Sequence, residues 1–487
     1  MWSGRGRFPP QVRLPPRPTA SSAVVVAAWC AFAAYLVVQA RLGPVLIWSD
    51  SKVYATMAAA PLWSRALWAG ARPPLTPLVL KVAGGPGAMV TIQAVVAALA
   101  WGALAWTVGR LVEPGWRRTA ATLLILGFAT TLPITQWNRS ELSESLSLSL
   151  LALVVAGFIW VSRRLTWPRI AFTATACLAF ALTRDAQVWT VGFLALATAA
   201  FALTRVRSHP SAAMRAGVLA GCLVGAVALC EWGTLSSQRT TSNTADVLLV
   251  RVFPFPDRVA WFAAHGMPEA GRIDQMARQA TATPGSAKVV GIPLSDPTFA
   301  PLDRWLRTDG GHTYLLWLVT HPWYVVSEPL VRPERAFNFA GGDLSFYAAT
   351  THTARSPLTT VLWPPLVVLL IVAAVALSLG ITSEATRTDP WRMMVVLTLI
   401  GVGAMLVAWH GDGQETTRHT VEGFAEVRLG VWILFVTGLF ALPVFDRATP
   451  AAKATEGEPG PTPPAPPRPG GPPSVSDRPS GVATRCR

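Results

Sequence analysis

Long apolar runs separated by short polar connections dominate the hydropathy pattern of this chain of 487 residues. A run of about 20 apolar residues is the length at which an α-helix crosses the hydrocarbon core of a bilayer. Ten runs of roughly this kind can be placed, at 22–40, 88–109, 119–136, 142–161, 170–183, 186–203, 212–232, 358–380, 392–409 and 427–445. The pattern predicts an all-α polytopic membrane protein with about ten transmembrane helices.

The composition supports the same conclusion. Hydrophobic residues make up 52% of the chain, charged residues 14%, and the mean hydropathy is +0.40, which together exclude a water-soluble globule. The net charge of +15 would suit a nucleic-acid partner, but the basic residues are dispersed among the apolar runs and form no continuous stripe. We therefore expect the lipid bilayer as a partner and no nucleic acid.

The runs divide the chain into three parts. Residues 1–21 form a basic leader, residues 22–448 a multi-span membrane domain, and residues 449–487 a proline-rich tail that we expect to be disordered. The largest polar connection is 233–357, between the seventh and eighth runs. Two stretches within it, Asp246 to Ala264 and Tyr314 to Val326, are rich in apolar residues but too short to span, so they predict interfacial or re-entrant elements.

The first apolar run has two interpretations. It follows several arginines and could be a signal peptide cleaved near Val38-Gln39-Ala40. Its apolar core is longer than such peptides usually have, which favours an uncleaved membrane anchor.

Arginines indicate the sidedness. The connections 110–118, 162–169 and 204–215 each carry three arginines, whereas the connections between them carry one each. The positive-inside rule then places both termini and the tail in the cytoplasm, and the 233–357 loop outside it. We therefore expect a multi-pass plasma (inner) membrane protein whose active face is extracytoplasmic.

Asp50 is the first candidate for chemistry, because it lies just past the first run, where water, headgroups and partial desolvation meet. Helical spacing of apolar residues after it, including Tyr54, predicts two short helices in the headgroup plane, separated near Pro61. The connection then ends in Arg72-Pro73-Pro74-Leu75, whose prolines keep it extended or kinked. This return would bring Arg72 to the same depth as Asp50.

Two acids open the fourth run. Ser140 followed by Glu141 and Glu144 is typical of a helix N-cap with acids in the first turn, where they favour the helix dipole. Glu144 lies deeper, and a carboxylate inside a span usually has a partner or a polar cavity. Capping and a functional role both remain open for these acids.

Two further connections carry arginine. Arg184-Asp185 separates two apolar runs with almost no loop, and the arginine is either in an internal ion pair or a phosphate ligand. The connection from His410 to His419 is the densest polar cluster between runs. Its Arg418 and His419 suit an anionic headgroup or lipid phosphate, while a solvated loop is the plainer alternative. Its spacing fits no named metal-ligand motif.

Absent motifs exclude other classes. The sequence has no Gly-rich phosphate loop, GxSxG elbow or HExxH helix, which argues against an ATP-driven pump, a serine hydrolase and a zinc protease.

The order of these features resembles the GT-C superfamily of integral-membrane glycosyltransferases, especially the protein O-mannosyltransferase and lipid A aminoarabinose transferase branch. The resemblance is carried by Asp50 after the first run, the Arg72-Pro73-Pro74-Leu75 return, Glu144 at the start of the fourth run, Arg184 after the fifth, and the large loop after the seventh. Members often have a second acid beside the first and a His before Pro-Pro, where this chain has Ser51 and Arg72.

The resemblance implies a glycosyltransferase that moves a sugar from a polyprenyl-phosphate donor to an extracytoplasmic acceptor hydroxyl with inversion. The acceptor would be a glycan, a lipid or a protein. Asp50 would accept the hydroxyl proton, and we expect partial burial to raise its pKa toward that task. Glu144 would orient the acceptor or a basic partner.

The remaining candidates would bind the substrate or its phosphate. Arg184 and Arg418, with Arg72, would stabilise negative charge on the leaving phosphate, and His419 and Tyr54 complete this set. No cofactor is certain, no metal ligands are assigned, and a divalent metal ion remains possible.

Two rival functions make different demands. A polysaccharide polymerase or O-antigen ligase would depend on loop residues such as Arg251, Arg304, His312 and His321, with Asp50 dispensable. A non-enzymatic lipid or solute transporter would need polar residues near the middle of its spans.

Overall fold

The computed structural model describes residues 20–237, 239–279, 296–331, 350, 356–383, 385–411, 413 and 416–442. The proline-rich tail and all but the last two residues of the leader lie outside this part. Within it the chain is helical without β-strands, and one isolated parallel bridge joins Leu46 to Ser140.

The first half of the chain builds most of a helical bundle. Its helices are α1 (Ala20–Arg41), α2 (Ser49–Ala59), α3 (Arg65–Trp68), α4 (Leu75–Ala83), α5 (Pro86–Gly109), α6 (Trp116–Ala129), α7 (Leu132–Thr135), α8 (Glu144–Arg163), α9 (Trp167–Ala181), α10 (Asp185–Arg205) and α11 (Pro210–Leu235). Helix α8 is buried along nearly its whole length, so it forms the centre of the bundle.

The large connection forms a helical unit, here called the loop module and comprising the described residues of 239–331. It contains α12 (Arg239–Arg251), α13 (Pro256–Ala264), α14 (Ala270–Gln279), α15 (Ala300–Trp305), α16 (Gly311–Thr320) and α17 (Pro322–Val331). A π-helical turn, Leu306–Gly310, precedes α16. The module has an apolar core of its own, to which Leu248, Phe262 and Leu302 belong.

That core includes part of one predicted element. The stretch from Asp246 to Ala264 buries its apolar residues Val247, Phe253 and Val259 in the module core, and its position at the membrane interface stays a prediction. The other stretch does form two short helices, α16 and α17, which meet at Pro322. Proline lacks an N–H, so it suits the first position of a helix and ends the one before it.

The chain returns to the bundle in α18 (Leu358–Leu362), α19 (Leu366–Thr382), α20 (Asp389–Gly411), α21 (Thr416–His419) and α22 (Val421–Phe440). Seven helices of the described part are long and apolar enough to cross a membrane, namely α1, α5, α8, α10, α11, α20 and α22. Helices α6, α9 and α19 occupy the other three predicted runs, with 14, 15 and 17 residues. The chain is an all-α membrane protein, and ten crossings stay a prediction.

The eighth run differs from its prediction as a single helix. Pro364 and Pro365 separate α18 from α19, because neither can donate a helical hydrogen bond. Side chains of α22 bind carbonyls at this break: Trp432 Nε1 donates to Leu362 O at 3.0 Å, and Arg428 Nη2 donates to Pro364 O at 3.3 Å.

The last helix begins at Val421 rather than at residue 427, which puts Glu422 and Glu426 inside it instead of in a solvated loop. Both glutamates are buried. The predicted start at residue 427 leaves both glutamates out of the span, because a charged side chain inside the bilayer costs free energy. This cost is lower when other protein groups surround the charge.

Helices α20 and α22 approach each other closely. A Cβ added at Gly423 would lie 2.8 Å from the backbone nitrogen of Met405 and 3.1 Å from the carbonyl oxygen of Gly401. Only glycine permits this contact of one backbone on another. The close approach holds the start of α22 against the end of α20, next to the polar connection between them.

The candidate residues lie at one end of the helical bundle, where several helices begin or end. Helix α1 ends, α8 and α10 begin, α20 ends and α22 begins at the same end of the bundle, here called the site end. The connections that carry the predicted acids and arginines meet there.

Candidate active site

Asp50 lies in the first turn of α2, at the site end. The backbone N–H of Trp48 donates to Ser51 Oγ at 3.0 Å, and Ser51 Oγ donates to the carbonyl oxygen of Glu141 at 3.0 Å. These bonds tie the start of α2 to the connection before α8. Asp50 therefore has a fixed position in a buried setting.

Two guanidinium groups bind the Asp50 carboxylate, one on each oxygen. Arg72 Nη2 donates to Oδ1 at 2.6 Å, and Arg418 Nη2 donates to Oδ2 at 2.9 Å. Arg72 reaches this position because the prolines that follow it lead into α4, whose Leu75 N–H donates to the carbonyl oxygen of Leu182 at 3.0 Å. The return segment is thereby attached to the end of α9.

This pairing corrects the expected acidity of Asp50. Burial raises the pKa of its carboxyl, but the nearby charges of Arg418 and Arg72 and their hydrogen bonds together outweigh burial. The pKa of Asp50 therefore lies below its ordinary value, not above it. In this arrangement the carboxylate is ionised at neutral pH and is a weak base.

Glu144 is the fully buried link between two further arginines. Arg418 Nε donates to Glu144 Oε1, and Arg184 Nη1 lies 3.2 Å from the same oxygen. Arg184 Nη1 also donates to Glu422 Oε1 at 2.8 Å. Nearby Glu422 and Glu144 raise the pKa of Arg184 despite burial, so it stays cationic.

Six side chains thus form one row of alternating charge, here called the charge chain: Arg72, Asp50, Arg418, Glu144, Arg184 and Glu422. Accessibility decreases over the first four members, since the Arg72 side chain is 39% exposed, Asp50 11%, Arg418 6% and Glu144 0%, and the last two are buried as well, with Arg184 at 7% and Glu422 at 1%. An anion arriving from solution would meet Arg72 first.

His419 and Tyr54 flank the charge chain. Arg184 Nη2 contacts His419 Nδ1, an arrangement in which the arginine donates and the imidazole nitrogen accepts. Tyr54, one turn after Asp50 on α2, is almost completely buried. Burial, with the charges of Glu144 and Asp50, raises the pKa of Tyr54 to about 12, so its hydroxyl keeps its proton.

Two sequence interpretations meet longer-range contacts. Arg184 is in an internal ion pair, but with Glu144 and Glu422, while its neighbour Asp185 accepts a hydrogen bond from Arg239 Nη1 at 2.9 Å. Glu141 is not a first-turn acid, because α8 begins only at Glu144. Burial raises the pKa of the Glu141 carboxyl.

Glu422 is the member of the charge chain that the sequence interpretation missed as a site residue. It follows Arg418 by four positions, a helical spacing that would have placed both on one face if α22 had been extended backwards. Hydropathy alone places Glu422 in the polar connection before the last run, and it contains no sign that Glu422 pairs with Arg184.

The structure gives no metal site in the part it describes. Among those residues no group of three or more His, Cys, Asp or Glu side chains is arranged to hold a metal ion. Asp412, which belongs to the polar connection discussed above, lies outside the described residues. The carboxylates of the charge chain already have arginine partners.

Comparison with solved structures finds two similar structures, and both are of an oligosaccharyltransferase. One is the archaeal oligosaccharyltransferase AglB from Archaeoglobus fulgidus in complex with an inhibitory peptide and a dolichol-phosphate, with 15% identity and a TM-score of 0.41. The other is the Archaeoglobus fulgidus oligosaccharyltransferase tethered with an acceptor peptide containing the NVT sequon, with 13% identity and a TM-score of 0.42. Each match covers 88% of this chain and 50% of the other, so this chain spans about half the length of those proteins.

Both matched proteins are oligosaccharyltransferases from Archaeoglobus fulgidus. No family model and no curated protein matches the chain. Any assignment of activity therefore depends on the site itself.

Proposed function

We propose that this protein is an integral-membrane glycosyltransferase that moves a sugar from a polyprenyl-phosphate donor to an acceptor hydroxyl, with inversion. Asp50 is the base, and Arg72, Arg418 and Arg184 bind the donor phosphate and stabilise its charge as it leaves. Glu144 positions Arg418 and Arg184. The acceptor is a glycan, a lipid or a protein.

One observation carries the proposal. The Asp50 carboxylate, at the site end of the bundle, is bound by the guanidinium groups of Arg72 and Arg418. A third guanidinium group, that of Arg184, is connected to Arg418 through Glu144. These residues come from distant parts of the chain. Guanidinium groups match phosphate oxygens with paired donors, and a nearby carboxylate can take a proton. A lipid-linked phosphosugar needs both groups beside the membrane.

Donor binding changes the partners of Asp50. The donor phosphate shares the donors of Arg72 and Arg418, each of which has five N–H groups, and the carboxylate then loses part of its stabilisation. Its pKa rises as those bonds weaken. The carboxylate that is a weak base without donor becomes a stronger base once the donor is bound.

The reaction then balances as a single displacement. The acceptor oxygen attacks the anomeric carbon from the face opposite the phosphate, its proton passes to Asp50, and the bond between the anomeric carbon and the phosphate oxygen breaks. The lipid phosphate leaves with one more negative charge, which the arginines stabilise. Attack from the opposite face inverts the anomeric centre.

Sidedness follows from the arginine-rich connections, which lie opposite the site end. We place both termini in the cytoplasm of a plasma (inner) membrane protein with ten crossings, and the site on the extracytoplasmic face. The loop module then lies outside the cytoplasm, beside the site.

Sugar transfer from labelled membrane lipids tests the proposal. We expect Asp50→Asn to lose nearly all incorporation while the protein level stays normal, because asparagine cannot accept the proton. The matched control is Asp257→Asn, an exposed aspartate of the loop module, which should keep full activity. Normal incorporation by Asp50→Asn would reject the assigned base.

The polymerase or ligase alternative predicts the opposite pattern, with Asp50→Asn active and the loop positions essential. Arg304 is exposed on α15, whereas Arg251 is buried and paired with Glu328 at 2.5 Å. Substituting Arg304 by alanine therefore separates the two functions without disturbing a buried pair.

A further inference from the structure

The α16–α17 pair carries an apolar surface that the site does not use. Leu315, Leu316 and Val319 are exposed on α16, and Trp323, Val326 and Leu330 are exposed on α17, with Trp323 at 76%. The three on α17 recur at spacings of three and four, so they share one face of that helix. The opposite sides contribute Tyr314 and Trp317 to the module core.

This surface lacks charge, unlike the rest of the loop module. Residues 310–327 contain no Asp, Glu, Lys or Arg. Elsewhere the module exposes ion pairs, such as Arg278 with Asp274 on α14, and Arg307 of the π-helical turn with Asp303 of α15. Apart from Phe255, the exposed large apolar side chains of the module therefore lie on α16 and α17, and its exposed ion pairs lie elsewhere.

Contacts with α20 fix the depth of this face. Near the end of α20, His410 Nε2 donates to the carbonyl oxygen of Val325 at 2.9 Å, and Trp409 Nε1 donates to Glu328. Helix α20 is one of the helices long enough to cross the membrane. Helix α17 is thus attached where a transmembrane helix reaches the membrane surface.

We infer that the α16–α17 pair is an interfacial element whose exposed apolar side chains are inserted into the leaflet on the site side. Each helix has ten residues, about 15 Å at 1.5 Å per residue, which is too short to cross but enough to lie along the headgroup boundary. The occupant of the face is the bilayer, because its attachment to α20 places it at the rim of the lipid-facing bundle. Trp323 at the turn is the residue type enriched at that depth.

Photo-crosslinking of the full chain tests this inference. Val319→p-benzoylphenylalanine and Val326→p-benzoylphenylalanine are each reconstituted into phosphatidylethanolamine and phosphatidylglycerol vesicles, irradiated, and analysed by mass spectrometry for lipid adducts. Leu196, exposed on α10, is the positive control position, and Thr308, exposed in the polar part of the module, is the negative one.

We expect lipid adducts at both positions of the α16–α17 pair at a yield close to that of Leu196 and several-fold above that of Thr308. A yield equal to that of Thr308 at both positions would overturn the inference. Adducts to a second copy of the chain, or to another protein copurified with it, would also overturn it. Two independent positions guard against a local effect of the bulky residue, and the readout does not depend on sugar transfer.

Discussion

At the residue scale, substituting one member of the charge chain affects charged residues that are distant from it in the sequence. Each interior member has opposite charges on both sides, so removing one leaves its two charged neighbours with one partner fewer. Five of its six members could be predicted as site residues from their place beside apolar runs. The contacts could not be predicted, because Arg418 and Asp50 are 368 positions apart and a single sequence carries no signal for that pairing.

Arg184→Ala tests the buried part of the chain. We expect a loss of about 3–5 kcal/mol in unfolding free energy, because Glu144 and Glu422 would lose a shared cationic partner. Thermal unfolding in detergent measures the loss, and Arg207→Ala, an exposed arginine, is the control. Adding Glu422→Gln to Arg184→Ala should recover part of the stability, and a double variant no better than the single one would contradict the pairing.

Arg72→Ala tests the accessible end through pH dependence. Arg72 lowers the pKa of Asp50, so its removal raises that pKa. Because the base must be ionised, the acid limb of the kcat/KM profile should move to higher pH, with weaker donor binding. Lys52 is exposed on α2, the helix that carries Asp50, so Lys52→Ala should leave the pH profile unchanged. An acid limb that does not move in Arg72→Ala would show that ionisation of Asp50 does not control kcat/KM.

At the element scale, helices were easier to predict than their ends. The apolar runs located the crossing helices because their length is set by the bilayer. Their boundaries failed where the protein interior overrode that rule: buried Glu422 and Glu426 lie within α22, and prolines divide the eighth run. Both exceptions depend on neighbouring helices, which hydropathy along one sequence does not contain.

Gly423→Ala tests the close packing of α20 on α22. The added methyl would press on the Met405 backbone, and we expect a cost of about 1–3 kcal/mol measured by thermal unfolding. It should also reduce sugar transfer, because Glu422 is the neighbouring residue and would shift from Arg184. Gly217→Ala, on an open face of α11, should be neutral or slightly stabilising, and equal results for the two glycines would argue against the contact.

At the scale of the whole molecule, the sequence predicted an all-α membrane protein and the common location of the candidate residues. The order of acid, return segment, arginine and large loop resembles the GT-C superfamily, and the structure brings the corresponding side chains into one row. Neither the internal core of the loop module nor its attachment to α20 was predicted, since both depend on how distant apolar surfaces meet.

Fusion reporters test the arrangement of this molecule across the membrane. Alkaline phosphatase inserted after Thr308 should be active, because its disulfides form outside the cytoplasm. Green fluorescent protein fused after Arg487 should fluoresce from the cytoplasmic side. Inactive phosphatase together with a dark fusion would reverse the proposed sidedness.

The charge chain can be completed only late in the synthesis of the protein. Asp50, Arg72, Glu144 and Arg184 leave the ribosome long before Arg418 and Glu422, which arrive with the last helix pair. Until then the early arginines and acids lack part of their neutralising set inside a low-dielectric bundle. We therefore expect a chain that stops before residue 418 to be unstable, because Glu144 and Arg184 would each lack one of their buried partners.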